Sequence, residues 1–161
     1  MLKQHDPYPA AAIDERGKVY FANDAHRGLF PNAESLSAEE AIDAFYGNIG
    51  PELIENWPEV AWAEADRRRR RANQNADSEL LALADRAESH LRDVPRPSLD
   101  TIAAPVVSTR FNLHGRSIET FSTVLRFEMS RDVTISELRI ELIFPANEDS
   151  EAFFRLRPFA S

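Results

Sequence analysis

Leu138-Arg139-Ile140-Glu141-Leu142-Ile143-Phe144 is the stretch on which the fold turns. Leu138, Ile140, Leu142 and Phe144 recur at every second position with Arg139, Glu141 and Ile143 between them, the period of a strand with one face buried and the other mostly wet. Pro145 ends the run. Upstream, Phe121, Thr123, Leu125 and Phe127 share one face of a second alternating run. A third holds Val107, Thr109, Phe111 and Leu113 and closes on the turn residues His114-Gly115-Arg116. The last third of the chain is therefore expected to be three antiparallel strands. Beyond them Ser150 is placed to cap a terminal helix, Glu151 to Leu156, carrying Phe153 and Phe154.

Before Val107 the period is helical, except at the start. Pro9 to Asn23 reads as two short apolar strands joined by a polar turn, Asp14 to Lys18, in which Gly17 can take positive φ. Asn23 and Asp24 then offer side-chain acceptors to cap a short helix, Ala25 to Phe30, stopped by Pro31. Ser37-Ala38-Glu39-Glu40 is a capping box that opens a helix through Tyr46, with Gly47 and Gly50 as its stop. Leu53, Trp57, Val60 and Ala61 share a face at helical spacing, and Pro58 suits the first turn of a new helix running through the arginines to about Ala72. After the polar break Asn73 to Asp77, the stripe Leu80, Ala84, Ala87, Leu91 and Val94 marks a further helix, read as core-facing or as a dimer seam. Pro95-Arg96-Pro97-Ser98 and Pro105 bracket a connector.

The whole reads as an α+β domain: a five-stranded antiparallel sheet, with several helices inserted between the second and third strands and covering one face. Residues 1–161 are taken as one domain, residues 1–8 as a tail. Its 161 residues suffice for a sizeable core, and the absence of cysteine removes disulfides, thiol nucleophiles and thiolate metal sites. Nineteen basic against 27 acidic side chains give a formal charge of −8, the wrong sign for a surface that grips phosphate backbones. Residues 1–100 hold 12 basic and 19 acidic side chains, residues 101–161 hold 7 and 8, so the acidity lies early. No apolar run approaches the ~18 residues of a membrane span, and the start has no secretion-signal core, so the chain is read as cytoplasmic.

Particular residues add a resemblance. Ala10 to Phe30, with its hairpin and Asn-led helix start, Pro51-Glu52-Leu53-Ile54-Glu55-Asn56-Trp57-Pro58-Glu59-Val60-Ala61, with its central tryptophan before an arginine-bearing helix, and Asp132-Val133-Thr134-Ile135-Ser136-Glu137-Leu138-Arg139-Ile140-Glu141 are similar to segments of one family. The chain resembles, over nearly its whole length, the PAS-like ligand-binding domain of MmyB-type transcription regulators, which belong to the XRE-family helix-turn-helix proteins. The resemblance implies a PAS-like fold that senses a small molecule, fatty acids being the expected class, while a helix-turn-helix module reads DNA. No such module precedes Ala10 in this sequence, so DNA is expected as a partner only through a module outside it. Between Leu91 and Pro105 the family's Ser-Pro-Glu-Phe-type segment with a tryptophan is not recognisable.

The expected ligand-binding set is apolar: Phe45, Trp57, Trp62, Phe111, Phe121, Leu125, Leu138, Ile140 and Leu142. Taken one at a time, each is equally a core residue, since an apolar stripe alone does not separate a filled core from a pocket. Arg67 to Arg71 sweep more than one turn of helix and cannot form one anion-facing stripe. Glu64 with Arg68 and Asp66 with Arg70 stand four apart and can pair, which makes the run a solvated helix end, with an anion site at Arg67 and Arg71 as the functional alternative. His5, His26, His90 and His114 show no metal-ligand spacing, and no nucleophile elbow or phosphate loop is present, so neither a metal, nor a cofactor, nor catalysis is expected. A homodimer is expected. The alternatives are a ligand-free dimerisation module and a steroid-isomerase-like or SnoaL-like α+β enzyme, which would need a carboxylate or histidine in its pocket.

Overall fold

The structure, a computed structural model, describes residues 1–102, 107–126, 138–156 and 159. Pro105, Phe127 and residues 132–137, which carry parts of the expectations above, lie outside the described residues. The strands are β1 (Ala10–Ile13), β2 (Val19–Ala22), β3 (Thr109–Leu113), β4 (Arg116–Arg126) and β5 (Arg139–Pro145). The helices are α1 (Asp24–Leu29), α2 (Ala38–Asp43), α3 (Gly50–Leu53), α4 (Trp57–Asn75), α5 (Ser78–Ser89), α6 (Leu99–Ile102) and α7 (Glu148–Arg155). The five strands form one sheet in the order β2-β1-β5-β4-β3, with β1 antiparallel to β2 and β5 and β4 antiparallel to β5. Helices α1 to α6 are inserted between β2 and β3, so the α+β, PAS-like arrangement read from the sequence is the one observed. The chain divides into two compact units, Met1–Ser37 with Ile118–Ser161, and Ala38–Ser117.

In the first unit the hairpin is built by Asp14. Its carboxylate accepts from the Arg16 and Lys18 amides, both at 2.9 Å, and from the Tyr20 hydroxyl at 3.2 Å, while Gly17 takes the left-handed φ of 91° that closes the turn. Asn23 caps α1 as expected, and it does more. Its Oδ1 accepts from the amides of His26 and Ala10, and its Nδ2 donates to Asp6 Oδ1 and to the Tyr8 carbonyl, so one buried amide ties the first eight residues, β1 and α1 together. Ala11, Val19 and Ala22 pack as a small core with Ile13 and Ala33.

The expected wet face of β5 is not wet. Arg139 and Ile143 are buried beside Ile140, and the C-terminal helix α7 packs against β5. Arg139 meets the cost of its burial partly through Nη2, which donates to the Asp14 carbonyl at 2.7 Å. In β4 the deepest residues are Ile118 and Thr120, each 1% exposed, whereas Phe121 is half-buried and Leu125 is 50% exposed. The reason is α7, whose Ser150 Oγ accepts from the Glu119 amide at 2.9 Å and so fixes the helix beside the start of β4. Ser150 is thus a strand-to-helix link; the cap of α7 is Asn147, which accepts from the Ser150 amide. Phe153 and Phe154 are buried, the latter edge-on to Tyr8.

In the second unit, α2 does not stop at Gly47. A π-helical stretch, Ala44–Ile49, carries the chain on into α3. The wider turn brings Phe45 and Tyr46 onto Trp57, and Gly50 is required there because a Cβ would fall 2.2 Å from Trp57 Cζ3 and 2.3 Å from the Phe45 carbonyl. Ile54 then bridges Phe111, and Asn56 accepts from the Arg110 amide and donates to the Ser108 carbonyl, so the α3–α4 link is stitched to β3. Pro58 lies in the first turn of α4, as expected, and the helix runs on to Asn75 before Ala76 takes φ 51° and Asp77 caps α5. Leu80, Ala84, Ala87 and Leu91 are buried, with α5 packed on α4. The stripe is therefore core-facing within this unit. A positive-φ pair, His114 and Gly115, turns β3 into β4.

Candidate functional site

The apolar residues expected to meet a ligand fall into both units. In the first, the strand register sets Leu125 opposite Ile140 and Ile140 opposite Ala12, and Thr123 opposite Leu142 and Leu142 opposite Ala10, so these side chains share one face of the sheet. Phe121 stands opposite Phe144 on the same face and stacks on it at 5.5 Å between ring centroids. Leu138, half-buried, precedes β5. Large apolar residues on β4 and β5 thus lie alongside alanines on β1.

In the second unit, Phe45 and Trp57 meet edge to face with their centroids 5.2 Å apart, and Tyr46 completes the group at 5.2 Å from Phe45 and 5.8 Å from Trp57. Phe111 is buried at its bridge to Ile54. Trp62 is engaged differently. Its indole N–H donates to the Val94 carbonyl at 3.2 Å and its ring carries the Arg96 guanidinium 4.3 Å from the centroid. Arg96 in turn binds both oxygens of Asp66 at 2.8 Å. Asp66 therefore pairs with Arg96 and not with Arg70, because the connector after α5 brings a guanidinium that the local spacing could not reveal.

The remaining arginines of α4 are largely held by acids. Arg69 binds Glu88 and Asp85 of α5, Arg67 binds Glu64 at 3.2 Å, and Arg68 stands 3.9 Å from the other Glu64 oxygen, the pairing expected four residues apart. A helix end woven into its neighbours, rather than an anion-facing stripe, is what the run forms. Across α2 and α5, Asp43 receives both Arg86 and His90, and these donors hold its carboxyl well below the usual carboxylate range.

His26 Nδ1 is buried with no hydrogen-bond partner among the described residues, and the buried Tyr46 hydroxyl lies beside the Arg68 side chain. Tyr46 is 3% exposed, and burial pushes its phenol up from the ordinary value, helped by Glu64 and opposed by Arg68. His26 is buried against Phe30, and desolvation pushes its imidazole down to about 4. Neither residue was singled out as a site by sequence reasoning. The available signal for Tyr46 was a phenol on a helix whose neighbours are apolar, a group that must find a partner once buried.

Among the described residues no three His, Asp or Glu side chains are placed to hold a metal ion. His5 bonds the Ile143 carbonyl, His90 bonds Asp43, and His114 lies in a turn. No helix among the described residues is long and apolar enough to cross a membrane. A family model described as "MmyB-like transcription regulator ligand binding domain" matches residues 1–156. No curated protein and no solved structure matches the chain significantly.

Proposed function

The chain belongs to the MmyB-like transcription regulator ligand-binding domains, and from that premise we propose that it is the sensory part of a bacterial regulator, binding a small apolar or fatty-acid-like molecule. The observation that carries this reading is the sheet face on which Leu125, Ile140, Leu142 and Phe121 stand beside Ala10 and Ala12. Large side chains next to small ones on a shared face suit an apolar chain, which gains about 0.8 kcal/mol for each methylene removed from water. Phe45, Trp57, Trp62, Phe111 and Leu138 complete the proposed ligand-contacting set.

Occupancy is read out by a helix-turn-helix module that binds DNA. The ligand acts by favouring one of two helix arrangements and shifts their equilibrium only by its differential affinity for them. The role is regulatory and non-catalytic, exercised in the cytoplasm as a homodimer. The dimer seam lies elsewhere than the Leu80 to Leu91 stripe, which α4 already covers.

Phe121→Glu tests the assignment, since it puts a charge on the sheet face at a half-buried position and leaves Ile118 and Thr120 in place. With the far-ultraviolet circular dichroism and melting transition retained, the variant is expected to bind a fluorescent fatty acid about tenfold or more weakly than the parent, a loss of ~1.4 kcal/mol or more. Undiminished binding by the folded variant would remove this face from the site.

A further inference from the structure

Gly28 sits inside α1, a helix of six residues, although glycine is the poorest helix former after proline. The reason for it is Phe159. A Cβ at position 28 would fall within the van der Waals surface of Phe159 Cβ, Cγ and Cδ1, so the ring lies directly on bare helix backbone. The same ring meets Phe153 of α7 edge to face with centroids 6.3 Å apart, and Phe153 is itself buried. Phe159 therefore joins α1 to α7 within the first unit. It lies three residues beyond the stretch matched by the family model, and that likeness does not account for it.

What α1 and α7 both hold is the start of the chain. From the α1 side, Asn23 Nδ2 donates to Asp6 Oδ1 at 2.9 Å and to the Tyr8 carbonyl at 2.8 Å. From α7, Glu151 accepts from the Tyr8 hydroxyl at 3.3 Å, and Phe154 meets the Tyr8 ring edge-on at 6.0 Å. One further tie runs to β5, from His5 to the Ile143 carbonyl at 3.0 Å. Two jaws thus close on the first eight residues, and the Phe159 ring links the jaws. We propose that Phe159 is a latch: seated on Gly28 it keeps α1 and α7 closed on residues 1–8, and its release frees that segment while the sheet stays folded. The quantity so regulated is the order of the N-terminal segment, and the device is independent of which molecule the sheet face receives.

Hydrogen exchange of backbone amides in the full chain, followed by NMR, tests the latch. The reporters are the amides of Ala10 and His26, which donate to Asn23 Oδ1, and of Tyr8, which donates to the His5 carbonyl. The references are the Ala146 amide, held by the Glu119 carbonyl, and the Arg110 amide, held by Asn56 in the second unit. Phe159→Ala is expected to speed exchange at the reporters about tenfold or more and to leave the references within about twofold. Gly28→Ala alone is expected to do the same, since the new Cβ evicts the ring. In the Phe159→Ala background the same substitution is expected to slow the reporters about fivefold, because alanine then only strengthens the helix. That reversal of sign belongs to a ring seated on bare backbone and not to a general loss of packing. Reporters unmoved by Phe159→Ala, references that speed up along with them, or Gly28→Ala acting in the same direction in both backgrounds would each overturn the latch.

Discussion

Asn23→Ala is expected to lower the unfolding free energy by about 4 kcal/mol, because it strips partners from several buried groups at once. The Ala10 amide, in a strand residue with no exposed surface, loses its acceptor at 2.9 Å, and the His26 amide loses the cap at 3.1 Å. The Tyr8 carbonyl and Asp6 lose their donor, so the first eight residues are left to their contacts with β5 and α7. Each unsatisfied buried group costs about 1–3 kcal/mol, against a total stability of about 5–15 kcal/mol for a domain. Asn23→Ser separates the contributions, since serine can keep the helix cap and cannot bridge to Asp6 and Tyr8. It is expected to recover about 1 kcal/mol of the loss. Urea denaturation at neutral pH measures both. A cost below about 1 kcal/mol for the alanine variant would mean that the Asn23 network is not the tie it is taken to be.

The second large effect is in pH. His26 is neutral in the fold because burial pushes its pKa down to about 4, while in the unfolded chain it returns to an ordinary value of about 6.5. Below about 6.5 the unfolded chain therefore binds the proton and the folded one does not, so stability is fully present above that pH and falls as the pH drops toward 4. At pH 4.5 the loss attributable to this residue is expected to be about 2–3 kcal/mol relative to pH 8. Carboxylates titrate in the same range, so the comparison is with His26→Leu, which lacks the ionisation and should show a pH profile shallower by that amount. Parallel profiles for the two proteins would show that His26 accepts its proton inside the fold.

How far these features could be read in advance depends on whether their causes are local. The Asp14–Lys18 turn, the Asn23 cap and the β3–β4 turn are written in residues whose side chains or φ preferences act within a few positions, and they were legible. Alternation placed β5 but not its two-sided burial, which depends on elements packed on the sheet from elsewhere in the chain, α7 among them. Gly47 and Gly50 read as helix stops; Gly50 is instead a space for Trp57, a fact held by a residue seven positions on. Asp66 paired with a partner 30 residues away, and the Ser150 hydroxyl oxygen accepts from the Glu119 amide rather than from its own helix.

On the function proposed, the apolar sheet face takes up an apolar chain, and a regulator so equipped would report on the supply of such molecules. The shift available to it is bounded by the difference in affinity between the liganded and unliganded arrangements, about 1.4 kcal/mol for each tenfold. Native mass spectrometry of the purified protein, followed by solvent extraction of what it carries, addresses that claim most directly. The account predicts a small molecule in stoichiometric amount, recovered as an apolar or fatty-acid-like compound, on a protein that also takes up decanoate when stripped. A stripped protein that keeps its unliganded mass when offered decanoate, and that carried nothing when purified, would contradict it.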